Sequence, residues 1–398
     1  MTTYQLYDDD AYQTEFEAEV ITCNKTELGY EVVLSRTAFF PEEGGQHSDT
    51  GTLRMDRSER NGADGLPDQI ESKVKDVQID AQKQICHICS MELPAGSKVI
   101  GKINWEKRFS DMQQHSGEHI VSGLVFSIYG FHNVGFHLSE KEVTMDFDGI
   151  LTWDDIHSIE AKANRAVYED FSVLTQYPSA EELEKLSYRS KKELEGPIRI
   201  VTFPGYDVCA CCAPHVHRTG EIGIIKIVHL MKYKSGVRVH LLCGERACAD
   251  YQNKLDSVLN ISVLLSAKPE EVYPAVQKLL EDNQKCKAIA AEMEQLKILK
   301  IAENISESTH GICIFEKNLA NASQRELVNL LTAKCAGYCG VFVGEEDEYR
   351  YIIAIRSGDA REMNRKLKEL CQVRGGGSEQ MVQGTIIGTR EQIQKAFE

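Results

Sequence analysis

Two histidines four residues apart, His115 and His119 in "DMQQHSGEHIVSG", sit in a stretch whose apolar residues recur at helical spacing. Positions i and i+4 share a helix face, so both imidazoles can converge on a single ion. A second pair with the same spacing, Cys211 and His215, follows about ninety residues later in "DVCACCAPHVHRTGEIG". Three imidazoles and one thiolate, supplied as two local pairs from distant segments, form a donor set suited to tetrahedral zinc. Cys209, Cys212 and His217 compete for the same duty, because an extended backbone would turn Cys209 or His217 toward the metal instead.

Other groups cluster around these pairs. Glu118 lies three residues after His115 and shares its face, which suits a general base, a partner orienting a ligand histidine, or simply a solvated carboxylate. "HSGEH" also satisfies His-x-x-Glu-His, the inverted pattern of zinc peptidases in which the Glu is the base. Cys86 and Cys89 in "QICHICS" read as structural thiols, as does His87 between them as a structural side chain. Their segment alternates like a strand, and no second cysteine pair at zinc-knuckle spacing accompanies them.

These groups must be positioned by a chain of 398 residues, long enough for two to four domains. With 42% hydrophobic and 27% charged residues the composition is that of a soluble globular protein. The polar, acidic start "MTTYQLYDDD" and the lack of any long apolar run exclude a membrane segment and predict a cytoplasmic protein. Thirteen cysteines without an export signal argue against a disulfide framework. The formal charge of −16 argues against a nucleic-acid partner at first sight. Residues 1 to 70 alone hold fifteen acids and five bases, however, so the rest is nearly balanced and has room for a local basic groove.

The pattern predicts an α+β multidomain chain. Residues 1–100 hold short β-branched runs ("FEAEVITC", "YEVVLS", "GTLRM", "SKVKDVQID") split by turn signals ("NKTELG", "NGADGLPD"), as expected of a small N-terminal β-barrel. Residues 101–245 form an α+β domain: a helix over about 104–131, a strand at "KEVTMDFDG", and a helix capped by Thr152 with Asp154 and Asp155 in its first turn. "IRIVTFPG", "GEIGIIKIVHL" and "GVRVHLLCG" read as strands of one sheet. Residues 246–305 place Leu279, Cys286, Ile289, Met293 and Leu296 at helical spacings, predicting a helical hairpin or short coiled-coil linker. Residues 306–398 alternate strands and helices as a small α/β domain, ending in a helix opened by Thr389 with Gln392 three residues on.

"SRTAFFPEEGGQHSDTGTL" strongly resembles the Gly-Gly-Gln stretch of the editing domains of alanyl-tRNA synthetases and their freestanding relatives. Arg108 followed by "HSGEH" resembles the family's His-x-x-x-His helix, and "CCAPHVHRTGEIG" its Cys-x-x-x-His segment. With the terminal "RGGGS", the order and distances match the long freestanding form over essentially the whole chain. Two departures stand out: Ser116 and Glu118 replace the usual residues between the histidines, and "CCAPH" is closer to the related editing domain of threonyl-tRNA synthetases.

The resemblance implies a trans-editing hydrolase that removes a wrong amino acid, serine or glycine, from the terminal ribose of alanine tRNA; serine on threonine tRNA is the variant within the same chemistry. It implies Zn2+ held by His115, His119, Cys211 and His215, with Gly44, Gly45 and Gln46 forming a tight loop at the terminal nucleotide, a plain hairpin turn being the other reading of Gly-Gly. Ser116 takes the position of a substrate-reading Thr, or is a helix serine bonded to its own backbone. Arg374, Gly375, Gly376 and Gly377 resemble a glycine-rich loop whose amides form an anion-binding nest for tRNA, in a domain that also dimerises. A zinc peptidase and a non-catalytic tRNA-binding factor are the rival readings.

Overall fold

Phe16, Ala18 and Val20 are buried while Glu15, Glu17 and Glu19 are exposed, the signature of a strand with one face in a core. That strand, β1 (Glu15–Thr26), is followed by β2 (Gly29–Leu34), β3 (Gly51–Asp56), β4 (Gln69–Ile79), β5 (Ile85–Cys89) and β6 (Lys98–Ile103). The six close into a barrel in the order β1-β2-β5-β4-β3-β6, with β6 pairing both β1 and β3. Phe39, Leu53, Val77 and Val99 fill its interior. The computed structural model describes residues 3–56, 69–139, 143–190, 197–307 and 310–398, so the turn signal "NGADGLPD" lies outside the described residues.

Next comes α1 (Trp105–Tyr129), opened by Asn104, whose side chain accepts from the Lys107 amide, and closed by Gly130 at φ 71°. It is buried on every side from Asp111 to Val125, so its polar residues must all find partners. β7 (Asn133–Leu138), β8 (Val143–Phe147), α2 (Trp153–Glu169), β9 (Leu174–Gln176), β10 (Ile200–Phe203), β11 (Asp207–Ala210), β12 (Ile225–Tyr233) and β13 (Gly236–Cys243) follow. Thr152 caps α2 in a capping box with Asp155. The strands predicted as one sheet form two: β12-β13-β8-β7 is a four-stranded sheet, and β10 belongs to a separate β9-β10-β11 sheet. "GEI" forms a 3-10 turn at Thr219–Ile222, and β12 begins after it, while β10 pairs with its own neighbours β9 and β11.

The chain divides into two compact units, Met1–Ser257 and Val258–Glu398. Two long helices, α3 (Gly244–Leu265) and α4 (Val272–Glu303), occupy the predicted helical stretch. Leu279, Ile289, Met293 and Leu296 of its stripe are exposed, at 55, 56, 67 and 61%.

The second unit contains β14 (Ile312–Glu316), α5 (Asn321–Lys334), β15 (Cys339–Glu345), β16 (Glu348–Ala354), α6 (Ala360–Leu370), β17 (Gln372–Gly377), β18 (Met381–Ile387) and α7 (Arg390–Phe397). Its sheet runs β14-β15-β16-β18-β17, with α5 packed over Val341 and Ile352 and with α6 and α7 over Phe342 and Ile353. Here the glycine-rich loop is corrected: Arg374 and Gly375–Gly377 lie in edge strand β17, paired with β18. None of the three glycines has a left-handed φ, so the alternating backbone that a nest requires is absent there. A Cβ at Gly375 would sit 2.4 Å from the Gln383 carbonyl oxygen, and one at Gly377 would sit 2.2 Å from that of Met381, so close strand approach accounts for these glycines.

Candidate metal centre

One ligand atom each from His115, His119, Cys211 and His215 lies within 4.8 Å of the others, a group that could hold a metal ion. Helix α1 carries the first two on one face, with rings 5.3 Å apart and nearly parallel. The segment after β11 delivers the other two: Cys211 Sγ is 3.5 Å from His115 Nε2 and 3.4 Å from His215 Nε2. The three histidines are buried and Cys211 is half-buried.

A second set of contacts decides which nitrogen of each ring faces inward. His115 Nδ1 donates to Gln46 Oε1 at 2.8 Å, and His119 Nδ1 donates to Asp207 Oδ2 at 2.9 Å. His215 Nδ1 meets Ser116 Oγ at 3.1 Å. With each Nδ1 engaged outward, the three Nε2 atoms point at one place. His119 Nε2 is buried there with no hydrogen-bond partner, the kind of orphaned polar atom that a bound cation satisfies once the ring is deprotonated.

Asp207 is fixed in turn by Arg189, whose Nε and Nη2 each donate at 2.7 Å. Burial works to raise the Asp207 carboxyl, but the bonds from His119 and Arg189 outweigh it and keep it below its ordinary value. Burial likewise works to lower His119, yet Glu118, Asp207 and the adjacent thiols raise it well above the usual imidazole range. A cation bound at Nε2 therefore displaces a proton. Burial presses the Cys211 thiol up, while the His115 and His215 imidazoles hold it well below the ordinary value. Burial drives His215 down to about 3.

The same contacts separate Cys211 from its competitors. The Cys212 thiol is pushed far up, first by burial and then by Cys211 beside it, so it stays protonated. His217 stacks on Tyr12 with ring centroids 4.0 Å apart. Cys209 falls in a second possible group with His119 and Asp207, which shares only His119 with the first. Cys86 and Cys89 are buried on β5, and His87 is held by Thr37 at 2.9 Å and by the Val32 carbonyl at 3.0 Å.

Three sequence expectations change. Ser116, expected to read the substrate or to bond its own helix, is fully buried; it meets His215 and accepts from the Val216 amide at 3.3 Å, so it positions a candidate ligand. Glu118 is no solvated carboxylate: it is buried, and its Oε1 accepts from Ser122 at 2.7 Å and from Asn133 at 2.6 Å. Gly44 and Gly45, at φ 65° and 86°, form a two-residue hairpin turn between Glu43 and Gln46. A Cβ on Gly45 would come 2.6 Å from the Phe136 carbonyl oxygen. This turn sends the Gln46 side-chain oxygen Oε1 to His115 and leaves the same amide's Nε2 buried without a hydrogen-bond partner.

Asp207, Arg189 and Asn133 escaped the sequence reading. Asp207 left one trace, an acid four residues before Cys211 in a strand-like segment; Arg189 and Asn133 left none. Asp207→Asn should weaken metal binding about 10- to 100-fold, measured by competition with a chromophoric chelator, because the amide no longer holds His119 in one tautomer with charge.

The barrel, the two-histidine helix and the cysteine-histidine segment define the class. Residues 198–239, which carry Cys211 and His215, match the threonyl and alanyl tRNA synthetase second additional domain, and residues 6–107 match the class II (A) tRNA synthetases. Beyond those matches, the chain is similar to alanyl-tRNA editing proteins and to alanine–tRNA ligases. It is 27% identical to alanyl-tRNA editing protein AlaX-L of Pyrococcus horikoshii, over 98% of this chain and 96% of that one. It is 29% identical to alanyl-tRNA editing protein Aarsd1-B of Xenopus laevis, over 68% and 66%. The alanine–tRNA ligase of Ignicoccus hospitalis is 30% identical over 76% of this chain, which spans only 33% of that enzyme's length. Among the described residues no helix is long and apolar enough to cross a membrane.

Proposed function

We propose that this chain is an aminoacyl-tRNA deacylase that hydrolyses the ester of serine, or glycine, wrongly attached to alanine tRNA, with a zinc ion held by His115, His119, Cys211 and His215. The observation that carries it is the convergence of these four donors in a chain similar end to end to AlaX-L. Zinc–sulfur and zinc–nitrogen bonds at tetrahedral angles require a sulfur-to-nitrogen separation of about 3.5 Å; those here are 3.5 and 3.4 Å.

Bound zinc would supply Lewis-acid polarisation of the ester carbonyl or of a water. The chain's own residues do the rest. Gln46, Asp207 and Ser116 hold the three imidazoles with Nε2 inward. Gln46 Nε2 is the donor left for the substrate, and the Gly44–Gly45 turn brings it there. Glu118, buried with its Oε2 4.0 Å from His119 Nε2, is the carboxylate nearest the cluster for proton transfer. Such correction is needed because one small group changes binding in an alanine pocket by about 1–3 kcal/mol, too little to exclude serine or glycine.

Arg374, exposed on edge strand β17, supplies charge for tRNA contact, and the exposed α4 stripe supports a homodimer through the C-terminal half. A peptidase of the inverted kind is disfavoured by the Cys211–His215 pair, which stands where such an enzyme would supply a carboxylate. Incubation of the zinc-loaded protein with serine-, glycine- and alanine-charged alanine tRNA, and with serine-charged threonine tRNA, tests the reading. Release of serine or glycine with alanine retained supports it; binding without turnover, or cleavage of a denatured protein instead, refutes it.

A further inference from the structure

Residues 211–217, which carry Cys211 and His215, belong to no helix or strand. A helix sets the separation of its i and i+4 side chains through its own hydrogen-bond ladder. This segment lacks that ladder, so groups outside it must fix the 3.4 Å between Cys211 Sγ and His215 Nε2. Its far end is fastened by Ser116, which accepts from the Val216 amide, and by the Val173 amide, which donates to the His217 carbonyl at 2.8 Å.

The near end is fastened by Arg199, the residue before β10. Its carbonyl accepts from the Cys211 amide at 3.1 Å, which extends the β10–β11 ladder by one step. Its Nη1 then donates to the carbonyl of Cys211 at 3.0 Å and to that of Ala213 at 2.7 Å. Two carbonyls two residues apart are thereby drawn to one nitrogen, and the chain curls at Cys212. Pro214 follows with its φ fixed and no N–H to satisfy. Arg199 is only 8% exposed, and its Nε is buried without a hydrogen-bond partner. Its counter-charge is Asp8 of the N-terminal segment, 3.8 Å away, which also bonds the Tyr177 side chain. Burying a guanidinium is costly, and what this one gains is the pairing of two loop carbonyls beside the candidate ligands.

We infer that Arg199 is a positioning residue of the metal centre: it holds the Cys211–Ala213 backbone in the curl that aims Cys211 Sγ and His215 Nε2 at one ion. The inference rests on the zinc reading. Asp8 serves the charge of Arg199 and not the curl, so the two contributions are separable.

The test uses the full-length protein, stripped of metal and reloaded with cobalt or zinc. Thiolate-bound cobalt has a charge-transfer absorption that reports the metal–sulfur bond, and chelator competition gives zinc affinity. Arg199→Met keeps the bulk and removes the donors, so zinc should bind about 10- to 100-fold more weakly and the cobalt band should lose at least about half its intensity. Arg199→Lys replaces the planar fork by one shorter ammonium and should recover part of this, with zinc about three- to tenfold weaker than in the parent. Asp8→Asn leaves both carbonyl bonds in place and should hold zinc within about twofold.

A residue that only stabilises the fold would lower the unfolding midpoint and leave the cobalt spectrum and zinc affinity of the folded variants unchanged; that result overturns the inference. So does a loss in Asp8→Asn equal to that in Arg199→Met. Should Arg199→Met fail to fold, parental affinity and spectrum in Arg199→Lys overturn it alone. A parent that takes up no cobalt sinks the zinc reading and this inference with it, whereas a parent that loads one ion per chain and is matched by its variants removes the clamp alone.

Discussion

Cys211→Ser is expected to empty the metal centre and to lower hydrolysis of serine-charged alanine tRNA about a thousandfold, equivalent to about 4 kcal/mol of transition-state stabilisation. The substitution conserves size and changes one property. A serine hydroxyl stays protonated beside His115 and His215, whereas the thiol in this place is held well below its ordinary value. The remaining donors are three neutral nitrogens, which bind zinc without the soft anionic ligand. Cys212→Ser is the matched control, because its thiol is pushed the other way by burial. Metal content per chain and the single-turnover rate should fall together in the first variant and in neither case for the second. Full metal and activity in Cys211→Ser would remove the sulfur from the site and with it the proposed centre.

The second large effect concerns stability. Arg108 is fully buried, and its Nε donates to both Asp49 oxygens at 3.1 and 3.0 Å. Nη1 donates to the Ala11 carbonyl at 2.9 Å and Nη2 to that of Ala38 at 2.6 Å, so one guanidinium ties α1 to the barrel and to the segment before it. Asp49 also accepts from the Phe40 amide at 2.7 Å. Arg108→Ala leaves that carboxylate buried without its cation, and leaves two carbonyls short of a donor. The expected cost is about 3–5 kcal/mol in denaturant unfolding of the full chain. Arg108→Met combined with Asp49→Asn should lose less than the two single changes added together, because neither partner is then left as an unpaired charge. A loss under about 0.5 kcal/mol for Arg108→Ala would show the pair to be energetically idle.

Local rules made much of this molecule legible. The helix read over about 104–131 is α1, Thr152 opens α2 as its cap, and alternation marked the barrel strands. The Gly375–Gly377 run was opaque for a definite reason. Glycine is compatible both with a left-handed nest and with an extended strand needing close approach, and only the pairing with β18 distinguishes them. Glu118 was opaque in the same way, since a helix carboxylate looks solvated until Ser122 and Asn133 close over it.

By itself the sequence determined that His115 and His119 share one helix face, because helical geometry leaves residues four apart little freedom, and it narrowed the second pair to Cys211 and His215 against Cys209, Cys212 and His217. It also determined the elements that carry them and the family likeness they share. Tertiary structure alone decided that Cys211 rather than Cys212 meets the histidines, and that Asp207, Gln46 and Ser116 orient the three rings. Those choices depend on partners 69 to 99 residues away, and on burial that reverses the proton affinity of neighbouring thiols. Spacing along the chain carries no record of either.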